Sequence, residues 1–254
     1  MSSESLHTTV VAVALTWLTT TFAYVKYVKP LSPSAHLAAE FFGKAAFHGI
    51  MTASIGLVAY CECGTNEPEC VPTWTSTVSD VLLWLLIVFL AFPSGASLNP
   101  NVSISLWATG KMPILDTVLQ VATQMVSAVV TASVLWLATS PGLRPHVLAP
   151  RLKSDASLYA GAFEMLCAAC NVQIVHFAGA FIPNVPLQSV LVATSILALI
   201  KLTPGAFMDP SSVLANALYA GDFSAVPTAF VAGGVGSIVG GCIFNLVMAH
   251  LRRT

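Results

Sequence analysis

The sequence predicts an all-α membrane protein, in which six transmembrane helices and two re-entrant half-helices form an inverted repeat after an extra N-terminal hydrophobic helix. The first observation is composition: hydrophobic residues make up 56% and charged residues 8% of the 254 residues, with a mean hydropathy of +0.81. Ordinary soluble domains carry about 25% charged residues, so this balance indicates a chain embedded in lipid. The second observation is a pair of matching motifs, Asn99-Pro100 and Asp209-Pro210, that interrupt the apolar pattern.

Seven apolar segments are long enough to span a bilayer, which takes about 20 helical residues. They cover approximately residues 9–28, 36–61, 76–92, 113–139, 158–182, 186–203 and 225–251. The first segment lacks the positively charged start of a cleavable signal peptide, so we expect it to remain as an uncleaved helix. The chain is therefore expected to divide into an N-terminal extension over residues 1–34 and a main domain over residues 35–254.

Each motif starts a helix that is too short to cross a membrane by itself. Asparagine or aspartate is a favoured helix cap, and proline suits the first helical turn because its missing N–H needs no partner there. The apolar pieces that follow are short, Val102 to Ala108 and Val213 to Ala220. Two half-helices meeting head to head would together cover about 30 Å of hydrocarbon. Because such breaks are tolerated where they line a water-filled cavity, the motifs indicate a permeation site.

The two motifs belong to two copies of one unit. The order helix, helix, half-helix, helix occurs over residues 35–139 and again over residues 158–251. An odd number of crossings per copy means that the copies lie inverted in the membrane. The last helix of the second copy carries a row of glycines between residues 233 and 241, which we expect to form a packing face for a close helix contact.

Ionisable residues occur inside the apolar segments. Glu40 and Lys44 stand four residues apart, and Glu164 recurs near the start of the first helix of the second copy. Ionisable residues inside a spanning helix indicate a functional or structural role. The simpler interpretation is that Glu40 and Lys44 satisfy each other at helical spacing, with Lys44 reaching toward the helix end. Glu40 and Glu164 are also expected to accept hydrogen bonds from the loops before Asn99 and Asp209, where the backbone is broken.

Composition and motifs exclude several classes of function. The net charge of −1 argues against a nucleic-acid partner. An intramembrane enzyme would need a nucleophile or a metal constellation, but His48, His176 and Glu164 lie in apolar segments without any catalytic spacing around them. We therefore expect no enzymatic activity, no cofactor and no metal.

Three cysteines lie together in one loop. Cys61, Cys63 and Cys70 are expected to provide one disulfide and one free thiol if the loop faces an oxidising lumen. A zinc site is the alternative, but three thiols with no nearby histidine lack an obvious fourth ligand.

These residues resemble the aquaporin, or major intrinsic protein, family. The run from Ser94 to Pro100 is close to the Ser-Gly-Ala-His-Leu-Asn-Pro-Ala signature of that family. Glu40 and Glu164 stand where the family has its paired glutamates, and Gln124 stands at the glutamine position of its third helix. The resemblance covers residues 35 to 251 and implies an aquaporin-like fold, a lipid bilayer as the surroundings and assembly as a homotetramer with one pore per subunit.

The departures from the family pattern concern the two motifs and the selectivity filter. Asn101 replaces an alanine, the second motif reads Asp209-Pro210-Ser211, and Ser212 stands where orthodox channels carry an arginine. The resemblance places the other filter positions at Ser79, Leu197 and Ala206, with Ile196 as the alternative to Leu197 because of a one-residue insertion. Together with the extra N-terminal segment, these departures resemble the superaquaporin branch, which implies the endoplasmic reticulum or another intracellular membrane.

The expected function is passive passage of water and small uncharged solutes such as glycerol or hydrogen peroxide, because serine and alanine would leave a wide filter. The alternative is a non-conducting structural protein of the same fold, since the filter arginine is missing. The role of Asp209 also has two interpretations. It either caps its helix as asparagine would, or it is ionised and weakens the exclusion of cations.

Overall fold

The computed structural model describes residues 35–63, 74–91, 95–139, 144, 158–202 and 209–253, and every regular element in these ranges is helical. The all-α class is therefore confirmed. The helices are α1 Ala35–Cys63, α2 Trp74–Leu86 with a π-helical turn Ile87–Ala91, α3 Pro100–Ala108, α4 Ile114–Ala138, α5 Leu158–Phe181, α6 Val185–Leu202, α7 Pro210–Ala220, and α8 Gly233–Leu251 after a π-helical turn Thr228–Ala232.

Three of the described helical stretches are long and apolar enough to cross a membrane, namely Ile114–Ala138, Gly161–Phe181 and Thr228–Leu251. Two shorter apolar stretches, Asp80–Ala91 and Val185–Lys201, accompany them. The helix α1 has 29 residues, which at 1.5 Å per residue also suffices for a crossing. The predicted N-terminal helix lies outside the described residues.

The two predicted half-helices are α3 and α7, with 9 and 11 residues. Asn99 and Asp209 are their N-caps, in extended backbone conformation, and each is followed by a proline in the first turn. The helix α7 ends at Gly221, whose φ of 72° is the left-handed conformation that glycine adopts without a steric cost. Local capping chemistry thus fixes both ends of the second half-helix.

Packing crosses between the two halves of the chain. The helix α1 packs on α4, and α5 packs on α8. Each half-helix, however, packs mainly on the last helix of the other half: α3 on α8, and α7 on α4. Neither half-helix can therefore be placed correctly until both halves of the chain have come together.

The glycine row of α8 is a packing face, as predicted. A Cβ at Gly236 would lie 2.3 Å from the carbonyl oxygen of Met165, and one at Gly240 would lie 2.8 Å from that of Ala169. Real Cβ atoms do not approach backbone atoms so closely, so these two positions need glycine. They allow the α5 and α8 backbones to touch.

Gly233 makes room for a side chain of the first half-helix. A Cβ at this position would lie 2.6 Å from Nδ2 of Asn101, whose side chain is buried. Asn101 is the residue that replaces the alanine of the family motif. Its larger side chain in α3 fits because Gly233 in α8 has no side chain. At the neighbouring Gly234, a Cβ would meet only Ile104, at an ordinary 3.9 Å.

We predict that Gly233→Ala destabilises the protein by about 1–3 kcal/mol through overpacking against Asn101. Thermal unfolding in detergent measures the effect, with Gly234→Ala as the matched control that leaves the melting temperature equal or higher. Adding Asn101→Ala to Gly233→Ala should restore most of the loss. An equal loss in the single and double variants would contradict the proposed contact.

Candidate functional site

A cavity of about 580 Å³ lies where the two half-helices begin. Both cap residues, Asn99 and Asp209, line it. Most of the wall is apolar, with side chains such as Phe47, Val192 and Ile196. Polar groups interrupt this wall at a few positions, among them Thr52, Asn171, Ser212 and Asn216. No lysine or arginine of the described ranges is among the lining residues.

The loop before the first half-helix is held by Glu40. This side chain is 1% exposed, and its two carboxylate oxygens accept hydrogen bonds from the backbone N–H of Ser97 at 2.5 Å and of Leu98 at 2.9 Å. Leu98 has a φ of 55°, the left-handed region that a leucine rarely adopts, and its side chain is buried against Gly43. Glu40 thus accepts hydrogen bonds from backbone N–H groups of the loop before α3, which have no helical partner.

A chain of side-chain hydrogen bonds supports the Glu40 carboxylate. Gln124, fully buried in α4, donates through Nε2 to Glu40 at 2.8 Å and to Ser103 at 3.0 Å. Ser103 and Ser97 both donate to Oε1 of Gln120, at 3.0 and 3.3 Å. The network joins α1, the loop, α3 and α4, so the direction in which Asn99 enters the cavity is fixed by four separate segments.

Asn99 itself acts as a helix cap. Its side-chain oxygen accepts from the backbone N–H of Asn101 at 2.9 Å. Because the carbonyl oxygen is engaged in this way, the amide NH₂ is the donor that Asn99 brings to the site.

The second cap, Asp209, is surrounded by donors. Oδ1 accepts from the Ser211 hydroxyl at 2.7 Å and from the backbone N–H of Ser212 at 3.5 Å, while Oδ2 accepts from the Ser212 hydroxyl at 2.8 Å. Lys44 also donates to Oδ2 and forms an ion pair with it. A carboxylate that receives only donors is satisfied in its ionised form.

Lys44 is fully buried, with no exposed side-chain area, so it does not reach toward the helix end. Its ammonium group bonds Asp209 and also donates to the Ser212 hydroxyl at 3.1 Å. It forms no ion pair with Glu40, whose oxygens are taken by Ser97, Leu98 and Gln124. The sequence-based expectation that Glu40 and Lys44 pair with each other is therefore wrong. Glu40 instead bonds the loop before α3, and Lys44 bonds the residues at the start of α7.

His48, one helical turn after Lys44, completes this cluster. Its Nδ1 lies 3.0 Å from the Ser212 hydroxyl, and the residue lines the cavity. Ser212, the position where the family resemblance leads one to expect an arginine, thus touches Lys44, His48 and Asp209 together. We call Lys44, His48, Asp209 and Ser212 the charged cluster.

The structure places the remaining filter positions unequally. Ile196 lines the cavity, whereas Leu197 is not among the lining residues. Ala206 lies outside the described residues, and of Ser79 only the backbone is described. The next residue, Asp80, lines the cavity and pairs with Lys201 of α6 at 2.5 Å.

Two further sets of predicted residues fall partly outside the described ranges. Glu164 is fully buried, but the loop over residues 203–208 that it is predicted to hold is not described. Cys61 is an exposed free cysteine at the end of α1. The side chain of Cys63 and the whole of Cys70 are not described, so the disulfide stays a prediction.

Sequence reasoning missed the partner of Asp209. A signal was present: an aspartate at a membrane-depth helix start brings a negative charge that needs a buried cation. Lys44 is the lysine that lies deep inside an apolar segment, and this could have suggested the pair.

Comparisons with known proteins concern the family and the fold. The family model described as Major intrinsic protein matches residues 28–244. Among solved structures, the X-ray structure of the aquaglyceroporin from Plasmodium falciparum is similar, with a TM-score of 0.62 and 19% sequence identity. The similarity covers 85% of this chain and 98% of that chain, and at this identity it concerns the fold. A comparison with curated proteins finds no significant match.

We predict that Glu40→Ala lowers the melting temperature of the detergent-solubilised protein. The substitution removes the acceptor of the backbone N–H groups of Ser97 and Leu98 and of one N–H of the Gln124 amide. Each orphaned donor costs about 1–3 kcal/mol. The control is Asp116→Asn in the first turn of α4, which removes a favourable interaction with the helix dipole and should lower the free energy of unfolding by only roughly 0.3–1 kcal/mol. An equal shift of the melting temperature in the two variants would contradict this role of Glu40. We predict that Glu164→Ala lowers the melting temperature in the same way.

We predict that Lys44→Met or Asp209→Asn alone destabilises the protein by about 3–5 kcal/mol, because each leaves a buried charge without its partner. The double variant should recover most of this loss, since no unpaired charge remains. Lys201→Met, which breaks an ion pair whose lysine is 56% exposed, should cost ~0–1 kcal/mol. Chemical or thermal unfolding of the four variants measures these changes in the free energy of unfolding. If the loss in the double variant equalled the sum of the losses in the two single variants, the result would contradict the ion pair.

Proposed function

The chain belongs to the major intrinsic protein family of membrane channels, and we propose that it forms a pore for the passive passage of water and small uncharged solutes such as glycerol and hydrogen peroxide. The observation that carries the proposal is the cavity into which both half-helix caps, Asn99 and Asp209, protrude. Two helix N-termini at one site place backbone dipoles and cap side chains where a permeating oxygen needs hydrogen-bond partners.

The wall of the cavity favours small neutral solutes. Its largely apolar lining gives no strong binding, so a solute that enters also leaves. Thr52, Asn171 and Asn216 supply hydroxyl and amide groups that replace part of the hydration shell of a hydroxyl-bearing solute. Ser212 stands where a bulky arginine is expected from the family, and its smaller side chain favours glycerol and hydrogen peroxide in addition to water.

The family resemblance supports a proposal for the assembly and the location of the protein. Helix α4 exposes large apolar residues along its length, among them Leu115, Val126 and Leu137, and these suit contact with lipid or with another copy of the chain. We propose a homotetramer with one pore per subunit. The departures shared with the superaquaporin branch support an intracellular membrane, such as the endoplasmic reticulum, as its location.

Stopped-flow light scattering on proteoliposomes tests the channel. We predict glycerol and hydrogen peroxide permeability clearly above that of empty liposomes, in addition to that of water. Ile196→Trp should reduce this flux by about tenfold or more, because the indole narrows the cavity that Ile196 lines.

The matched control is Leu197→Trp, one residue further along the same helix and not among the lining residues. Normalised to the amount of reconstituted protein, this variant should keep most of the flux. Equal loss in both variants would show that the cavity is not the path. Permeability of the unmodified protein equal to that of empty liposomes would favour the non-conducting structural role.

A further inference from the structure

The charged cluster has a consequence for ions as well as for stability. Lys44 carries a positive charge and Asp209 a negative one, and they are in direct contact. Lys44 is fully buried and does not line the cavity, whereas 21% of the Asp209 side chain is exposed and the residue does line it. The charge that a permeating ion meets is therefore the carboxylate, and the charge that compensates it lies behind the wall.

We propose that Lys44 is a specificity-determining residue of this pore, which neutralises Asp209 from behind the cavity wall and thereby keeps cations out. The inference rests on the proposed channel function. It assigns to Lys44 a role in ion exclusion, although the residue stands in the first described helix, 165 positions away from its partner.

Charge balance explains why the pair is needed. Each half-helix presents roughly half a positive charge at its N-terminus, so α3 and α7 together make the centre of the cavity unfavourable for cations. A full negative charge on Asp209 would cancel about the whole positive charge that the two helix N-termini present at close range. With Lys44 in contact, the pair is neutral as a whole and the field of the two helix ends remains.

The other titratable groups around Asp209 do not replace Lys44. His48 on α1 touches Ser212, and Asp80 on α2 lines the same cavity, but Asp80 is already paired with Lys201. The helix α4, which packs along α7, has one titratable residue, Asp116 in its first turn. Neither α3 nor the π-helical turn Thr228–Ala232 contains any. Within the described ranges, Lys44 is the cation in contact with the carboxylate.

The experiment measures neutral flux and ion leak on the same proteoliposomes. Glycerol entry is followed by light scattering, and potassium leak is followed with an ion-sensitive dye trapped inside, at mildly alkaline pH where carboxyl groups are ionised. The variants are Lys44→Met, Lys44→Gln, Asp209→Asn and the double variant Lys44→Met with Asp209→Asn. Lys44→Arg keeps the charge and serves as the control.

We expect Lys44→Met and Lys44→Gln to raise the potassium leak at least about tenfold while glycerol flux stays within a few-fold, because a unit charge at a few ångströms is then uncompensated. Asp209→Asn, the double variant and Lys44→Arg should leak no more than the unmodified protein. Lys44→Gln keeps a hydrogen-bond donor toward Asp209, so the comparison does not depend on the folding of Lys44→Met.

The two hypotheses fail in distinguishable ways. If the unmodified protein and all variants pass no glycerol, the proposed passage of glycerol is wrong. If glycerol passes but the potassium leak of the neutral Lys44 variants equals that of the unmodified protein, the role of Lys44 is overturned. A leak in the double variant as large as in Lys44→Met would also overturn it, because the leak would then not come from Asp209.

Discussion

The structure depends on satisfying backbone hydrogen bonds at the points where a helix breaks at membrane depth. A half-helix that starts in the middle of the protein exposes donors that neither lipid nor a continuing helix satisfies. For the first half-helix, Asn99 caps one donor and the Glu40 carboxylate accepts from two more in the preceding loop. This requirement explains why an ionisable residue occupies the interior of an apolar helix, and why Gln124 and Gln120 are buried beside it.

The second half-helix satisfies the same requirement with different chemistry. Asp209 caps it as an acid in place of an amide, which brings a charge into the cavity wall together with the cap. The charge is balanced by Lys44 and shared with the hydroxyl groups of Ser211 and Ser212. The two half-helices are therefore alike in backbone geometry but different in electrostatics, and α1 serves both, with Glu40 on the first and Lys44 on the second.

Close contact between the halves sets the shape of the site. Each half-helix packs on the last helix of the other half, and in α8 this is possible because Gly233 and Gly241 leave space for Asn101 and Ala108 of α3. The same helix touches the α5 backbone through Gly236 and Gly240. A cavity formed between such tightly packed elements has a wall that is fixed in position, which a selective pore requires.

The sequence by itself determined the helices of the described ranges, the two breaks and the twofold repeat. These follow from local signals: apolar segments of spanning length, and Asn99-Pro100 and Asp209-Pro210 as helix starts. The role of Glu40 also followed, since a buried acceptor next to a broken backbone has few other uses.

Only the tertiary structure decided which charged residues form ion pairs and which residues line the cavity. Lys44 prefers Asp209, 165 residues away, to Glu40 one turn before it, because the folded chain gives Glu40 three other donors. Ile196 lines the cavity and Leu197 does not, because the rotation of α6 is set by its packing against α2 and α5 and not by its own composition. Interactions between distant segments leave no periodic trace in the sequence, and for this reason the motifs themselves do not identify the residue that pairs with Asp209.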